Sequence, residues 1–500
     1  MTDEQGSSAE KVHAGGEREP GIRSFIEASL PTSIADLTDL VRIPSVSWDA
    51  FDPANVAASA EAVAALFEGI GVFDTVTIAR AAVDSGEQSD RAERADSPDQ
   101  NNKTPEQGQP AVLATRAARN GKPTVLLYAH HDVQPPGADA DWQSPPFEPT
   151  VRGDRLYGRG AADDKAGVVS HVAAVRALAD AYGDDLDLGL VVFIEGEEEF
   201  GSRSFADFLQ THRAEMAADV IIVADSDNWN VDTPALTISL RGNVTFKLTV
   251  STLEHASHSG MFGGAAPDAM LATIRLLDTL WNVDGSVAVA GLTSSGEAVP
   301  ESSVESFAAD AGLLPGVTPI GTGPILSRLW AQPSVTVTGI DAPTVANASN
   351  TLSPSIAVKI SSRVAPGQDA RQALEALQAH LRAHAPFGAH LEFSDIDTGQ
   401  PFLVDTSGWA VAAAKQAMAD AWGVAPVETG VGGSIPFIAD LVRVFPAAQI
   451  LVTGVEDPDT RAHSPNESLH LGVFKRAILT EALLLSRLAE SSLDELGSMQ

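Results

Sequence analysis

A chain of 500 residues exceeds what one hydrophobic core usually organises, so at least two domains are expected; 44% hydrophobic and 20% charged residues is the balance of an ordinary globular protein. Its 67 acidic against 32 basic residues leave a formal charge of −35, which opposes binding to nucleic acid and to anionic membranes, and no basic run interleaved with aromatics offsets it. The absence of cysteine excludes disulfides, thiolate zinc sites, iron–sulfur clusters and a cysteine nucleophile, leaving His, Asp and Glu to hold any metal.

Residues 1–20 are polar and Gly-rich and read as a disordered tail. MTDEQGSSAEKVHAGGEREPG lacks the basic and apolar regions of a signal peptide, and no run of about 18 apolar residues follows, so the expected compartment is the cytoplasm. Residues 83–110, rich in Asp, Gln, Asn, Ser and Pro, read as a mobile loop inside a first domain segment, 21–241. In that segment Val125–Ala129, Leu188–Ile194 and Val220–Ala224 are apolar runs of strand length, and Ala166–Tyr182 has the apolar spacing of a crossover helix. That alternation is the signature of an α/β domain with a mostly parallel sheet.

From Asn243 the texture changes. A strand (NVTFKLTVS), a helix (PDAMLATIRLLDTLW), strands near Val335–Thr338 and Ile356–Ile360, a helix (Gln368–His384) and a strand (His390–Ser394) give a β-α-β-β-α-β order. Residues 242–399 therefore read as a small ferredoxin-like α+β insert. The α/β pattern returns in 400–500, with a strand at Gln449–Thr453 and a closing helix from Leu471, so the insert interrupts one domain.

Ligands of open α/β sheets lie beyond the carboxyl ends of the strands. The residues there are acids and histidines: His130, His131 and Asp132 after the first run, Glu195, Glu197, Glu198 and Glu199 after the second, Asp225 after the third, Asp163 and Asp164 before the crossover helix, and His463 after the late strand. One acid in such a place is most often a helix cap or a solvated loop residue. Five separate instances are what a pair of divalent ions would require in a cysteine-free chain. Strand alternation puts His130 and Asp132 on one face and His131 on the other, which makes His130 the ligand, Asp132 its orienting carboxylate and His131 a packing residue.

The segments YAHHDVQP, YGRGAADDKAG, IEGEEEFGS, ASHSGMFGG and AHSPNES resemble, in order, the motifs of the aminoacylase, acetylornithine deacetylase, carboxypeptidase G and carnosinase-type metallopeptidases, over residues from about 30 to 490. Leu240–Gly242 (LRG), GGSIPF at Gly432–Phe437 and the length point to the dipeptidase branch. The resemblance implies a hydrolase that cleaves an amide bond of short peptides next to a free carboxylate, with the 242–399 insert as lid and dimerisation domain of a homodimer. It also implies two divalent ions per subunit. Zinc is the first choice, and manganese or cobalt suits the same donors.

Carried over residue by residue, the pattern gives His130 and Asp225 to one metal and Glu199 and His463 to the other, with Asp163 bridging and Glu198 as general base and acid. Asp225 is preferred to Asp227 for its spacing to Arg241. His258 matches the histidine that stabilises the oxyanion, supplied in dimeric members by the partner subunit; its alternatives are a helix-capping role or replacement by His255. Arg363 matches the arginine that grips a substrate carboxylate, Asn350 a second polar group near the oxyanion, although NTLSP departs from the usual pattern, and Gly433 and Ser434 complete the carboxylate pocket. An N-acyl amino acid deacylase would use the same metals and base with a different pocket. A metal-dependent binding protein is the non-catalytic alternative.

Overall fold

The computed structural model describes residues 16–83, 106–296, 300, 302–433 and 436–497, so Ser434 and most of the expected 83–110 loop lie outside the described residues. The chain divides into two compact units, one of residues 1–237, 404–428 and 440–500, the other of 238–403 and 429–439.

In the first unit, Thr124–His130, Gly189–Glu195 and Val220–Val223 are buried along their whole length apart from Thr124, as expected of strands covered on both faces, which explains their unbroken apolar runs. They pair in parallel, and Gln449–Val452 adds a fourth parallel strand against Val220–Val223. Antiparallel strands flank this core: Ala111–Arg116 and then Thr75–Ala79 on one side, Ala235–Leu240 on the other. The register levels the carboxyl ends, with His130 opposite Glu195 and Tyr128 opposite both Phe193 and Val223. The crossover helix, Lys165–Tyr182, packs against Glu19–Val41 and Leu471–Glu490.

Two expectations are corrected here. Residues 19 and 20, assigned to the disordered tail, open the helix Glu19–Val41: Pro20 sits in its first turn, where a missing N–H is harmless, and the buried Glu19 carboxylate accepts from Arg487 Nε at 3.0 Å and Nη2 at 2.7 Å. Residues 83 and 106–110, assigned to the mobile loop, are held in place, since Val83 N donates to Glu106 O and Gly108 N to Ala81 O, both at 2.9 Å.

The four longest strands and two longest helices of the second unit follow the β-α-β-β-α-β order, with two short helices, Val304–Asp310 and Ile325–Trp330, between its first long helix and its second long strand. Its antiparallel sheet runs Ser334–Asp341, Ser355–Val364, Gly242–Ser251, His390–Gly399, and the helices Ala269–Asp278 and Ala370–Ala383 pack on it. Burial alternates residue by residue along Gly242–Ser251, so Val244, Phe246, Leu248 and Val250 face a core completed by Leu276, Ile360, Leu377 and Leu381. Residues 429–439, expected with the final α/β segment, group with this unit, in which Arg241 N donates to the Val431 carbonyl and Arg241 Nε to the Gly432 carbonyl. No helix among the described residues is long and apolar enough to cross a membrane.

Candidate metal centre

His130 ends its strand, and its imidazole is clamped from both sides. Nδ1 lies 3.1 Å from the Asp132 carbonyl and 3.3 Å from Asp132 Oδ1, while Nε2 lies 3.1 Å from Asp163 Oδ1 and 4.0 Å from both Asp225 Oδ1 and Glu198 Oε2. Asp163 turns its other oxygen, Oδ2, to His463 Nε2 at 3.0 Å, and that nitrogen is 3.2 Å from Glu199 Oε2. Two triads result, His130–Asp163–Asp225 and Asp163–Glu199–His463, each with its donor atoms within 4.8 Å of one another. The shared member is Asp163.

Asp132 does more than orient His130. Its Oδ1 accepts from Glu198 N at 3.1 Å and its Oδ2 from Glu199 N at 3.0 Å and Ser47 Oγ at 2.6 Å, so one buried carboxylate fixes an imidazole and the turn that presents both glutamates. Glu199 also accepts from Gln134 N at 3.2 Å and Gln134 Nε2 at 2.7 Å. His131 is buried, its Nε2 2.9 Å from the Pro110 carbonyl, and burial pushes its pKa down to about 4. Asp227 belongs to neither triad; its carboxyl hydrogen-bonds with that of Glu456.

Glu467, four residues after His463, was assigned no role from sequence. Fully buried, its Oε1 accepts from the backbone N–H of Ala162 at 3.0 Å and of Asp163 at 3.2 Å, and its Oε2 from Gly160 N at 3.0 Å and Arg159 Nη1 at 2.7 Å. The strand Ser468–His470 pairs with Arg155–Tyr157, docking the segment that carries His463 onto the turn that carries Asp163. Glu467→Ala is expected to leave four donors without their acceptor and to weaken metal retention at least tenfold, as loss of outer support typically does. Competition with a chelator measures it, and unchanged affinity would reduce Glu467 to a packing residue.

The electrostatics fit a cationic occupant. Burial, opposed by His130 but reinforced by Asp225, Glu199 and Asp132, raises the Glu198 carboxyl well above the ordinary range. Burial and Asp163 raise Glu199 to about 7, and burial, with Asp163 adding to it against His130, raises Asp225 to about 6. Hydrogen bonds to Asp163 and Glu199 lift His463 to about 10. His130 is raised too, because its bonds to Asp132 and Asp163 outweigh burial. Three carboxyls are thus raised, while, against burial, bonds to His130 and His463 hold Asp163 down, and divalent ions would displace whatever protons the raised groups take up. The donor set, imidazole and carboxylate without sulfur, suits zinc, manganese or cobalt.

The remaining candidates lie in the second unit. His258 ends the strand Ser257–His258 and caps the helix Ser259–Phe262, Nδ1 accepting from Gly260 N at 3.1 Å. That strand pairs with Thr351–Leu352, and Ser259 N donates to Asn350 O at 2.9 Å, which brings His258 and Asn350 side by side. His255 is exposed, its Nδ1 3.1 Å from the Ala256 carbonyl. Arg363 lies near the end of Ser355–Val364, opposite Asn243. Gly433 follows Gly432, whose carbonyl accepts from Arg241 Nε at 3.1 Å.

Acids and imidazoles converging at the carboxyl ends of a parallel sheet define a candidate metalloenzyme centre. Residues 126–487 match peptidase family M20/M25/M40. The cysteinylglycine-S-conjugate dipeptidase of Corynebacterium striatum is 37% identical over 380 residues, 75% of this chain and 83% of that protein. The Beta-Ala-His dipeptidase of Rattus norvegicus is 27% identical, covering 72% and 76%. Among solved structures, the dipeptidase Dug1p of Saccharomyces cerevisiae superposes with a TM-score of 0.73 at 24% identity, over 95% of this chain and 99% of that one. The chain belongs to peptidase family M20/M25/M40, within its dipeptidase branch. It is therefore a peptidase.

Proposed function

We propose that the chain is a two-metal dipeptidase, hydrolysing the amide bond of a dipeptide or short peptide that ends in a free carboxylate. The observation that carries this reading is the split of Asp163 between the two triads, one oxygen toward His130 and the other toward His463. His130 and Asp225 are the ligands of one ion, Glu199 and His463 those of the other, and Asp163 serves both; zinc is the first candidate. Ions bound there supply Lewis acidity to a substrate carbonyl and acidify water.

Glu198 takes a proton from the attacking water and returns it to the leaving amine. Asp132 keeps the His130 tautomer fixed and holds the glutamate turn in register. Arg363 grips the substrate carboxylate, a role in which Gly433 and Ser434 are its proposed companions, and His258 with Asn350 stabilises the oxyanion. Dipeptide-hydrolysing relatives in both bacteria and mammals support this substrate class. The compartment proposed for the chain is the cytoplasm.

Turnover of metal-reconstituted protein across dipeptides, tripeptides and N-acyl amino acids tests the reading. Dipeptides are expected to be hydrolysed fastest. Preference for N-acetyl or N-succinyl amino acids would replace it with the deacylase.

Arg363→Lys is expected to raise KM for dipeptides with a free carboxylate by roughly tenfold or more, because an ammonium cannot reproduce the guanidinium fork, and to affect C-terminally amidated dipeptides less. Equal losses on both substrates would make Arg363 a structural residue.

The protein is proposed to act as a homodimer joined through the second unit, with His258 completing the active site of the partner. Mixing a His258→Ala chain with a Glu198→Gln chain then regenerates sites with one intact copy of each residue, although each parent is nearly inactive. Differently tagged mixed dimers without recovered turnover would place His258 in its own chain's site or outside catalysis.

A further inference from the structure

The second unit encloses a cavity of about 400 Å³, in the range of roughly 300–1,000 Å³ common for small-molecule sites. Phe307, Leu329 and Val335 form apolar wall, and Arg241 and Arg328 bring two guanidinium groups. Among the described residues no Asp or Glu lines it, in a chain with 67 acidic and 32 basic residues. A cationic hollow in so acidic a protein is the reverse of what composition alone would place there.

Neither guanidinium has a carboxylate partner among the described residues. Arg241 is buried, 8% exposed. Its Nε donates to the Gly432 carbonyl at 3.1 Å, and its Nη1 is shared at longer range among the carbonyls of Arg328 at 3.4 Å and Gln332 at 3.3 Å and the Ser334 hydroxyl at 3.4 Å. Its Nη2 donates to none of the described residues. Arg328 is held only by the carbonyls of Ile320, at 3.0 Å from Nη1, and Gly323, at 3.0 Å from Nε and 2.6 Å from Nη2.

Carbonyl dipoles position these cations without neutralising them. Burial, with the neighbouring Arg363 adding to it, pushes the Arg241 guanidinium down to about 10, the direction expected of a desolvated charge that lacks its counter-ion. A buried cation of this kind is destabilising until an anion arrives.

We propose that this cavity binds a small organic anion, a carboxylate or phosphate monoester on an apolar body, with Arg241 and Arg328 as its charge partners. The apolar wall takes the body, and the two guanidinium groups on the lining offer charge-assisted hydrogen bonds to the anionic head. The site draws no group from the acid and histidine cluster, so it stands whether or not the hydrolytic assignment holds. The anion is either a free metabolite or the carboxylate end of a peptide, and one competition experiment separates the two.

Calorimetric titration of the full, metal-loaded chain with phenyl phosphate, with inorganic phosphate as the comparison, tests the site. Phenyl phosphate is expected to bind saturably and more tightly than inorganic phosphate, because only it reaches the apolar wall. Arg328→Gln is expected to weaken it about tenfold, the loss of one charge-assisted pair. Ser294→Trp, at an exposed lining position, is expected to fill the cavity and abolish binding with thermal unfolding unchanged. Undiminished phenyl phosphate binding in a saturating dipeptide assigns the site to a free metabolite, and displacement assigns it to the peptide's own carboxylate. Absence of saturable binding, or equal affinity in the unaltered chain and both variants, overturns the proposal.

Discussion

Glu198→Gln is expected to remove nearly all turnover while metal content stays the same. The substitution is isosteric, so the backbone N–H of residue 198 still donates to Asp132 Oδ1 and the turn keeps its shape. What disappears is the proton acceptor. Glu198 Oε2 lies 4.0 Å from His130 Nε2, at the edge of the first triad, where a carboxylate can take a proton from a water held there. Loss of such a group typically removes about 10²–10⁴-fold in rate, and kcat with metal content from elemental analysis reads both halves of the expectation. A variant that also sheds metal would move Glu198 into the ligand set.

Asp163→Ala is expected to empty both metal positions together. Each triad falls from three donors to two, and among the described residues no other carboxylate splits its oxygens between His130 and His463. Activity should fall at least as far as in the Glu198 variant, since neither Lewis acid is then retained. The fold should survive, because residue 163 is held through its backbone N–H to Glu467 Oε1 at 3.2 Å, a bond the substitution leaves in place. Two metals per chain in the purified variant would disprove the bridging assignment.

The central strands were readable in the sequence for a physical reason. Strands covered on both faces leave unbroken apolar runs such as VLLYA and VIIV, and the acids that end those runs stand out against them. Thr75–Ala79 went unread although TVTIA alternates Thr with β-branched apolar residues: the pattern is five residues long, and its side chains are only half-buried or exposed. The helix Glu19–Val41 was obscured by Pro20 and Pro31 and by the polar run before it. Gly432 and Gly433 group with the second unit, where Arg241 binds the carbonyls of Val431 and Gly432, a contact between segments nearly two hundred residues apart with no local signature.

The same contrast holds within the site. Residue type marked a wider set of acids and imidazoles at and near strand ends, the family resemblance singled out His130, Asp163, Glu199, Asp225 and His463 from it, and the structure gathers these five. Glu467 gives no such signal. Its partners are mostly backbone N–H groups three hundred residues earlier, which any sequence possesses, so only the folded turn identifies what the carboxylate is for.

That clasp between Glu467 and the Gly160–Asp163 turn has a consequence for biosynthesis. Strands, crossover helix and Asp163 all leave the ribosome long before residues 463–467 exist, so a nascent chain carries an incomplete second triad and an unsupported bridging turn. The second triad is complete only once the late segment has been made and docked against Arg155–Tyr157, a contact of very long sequence separation, whereas the residues of the first triad are all made by residue 225. The emerging polypeptide passes through synthesis without a working protease centre.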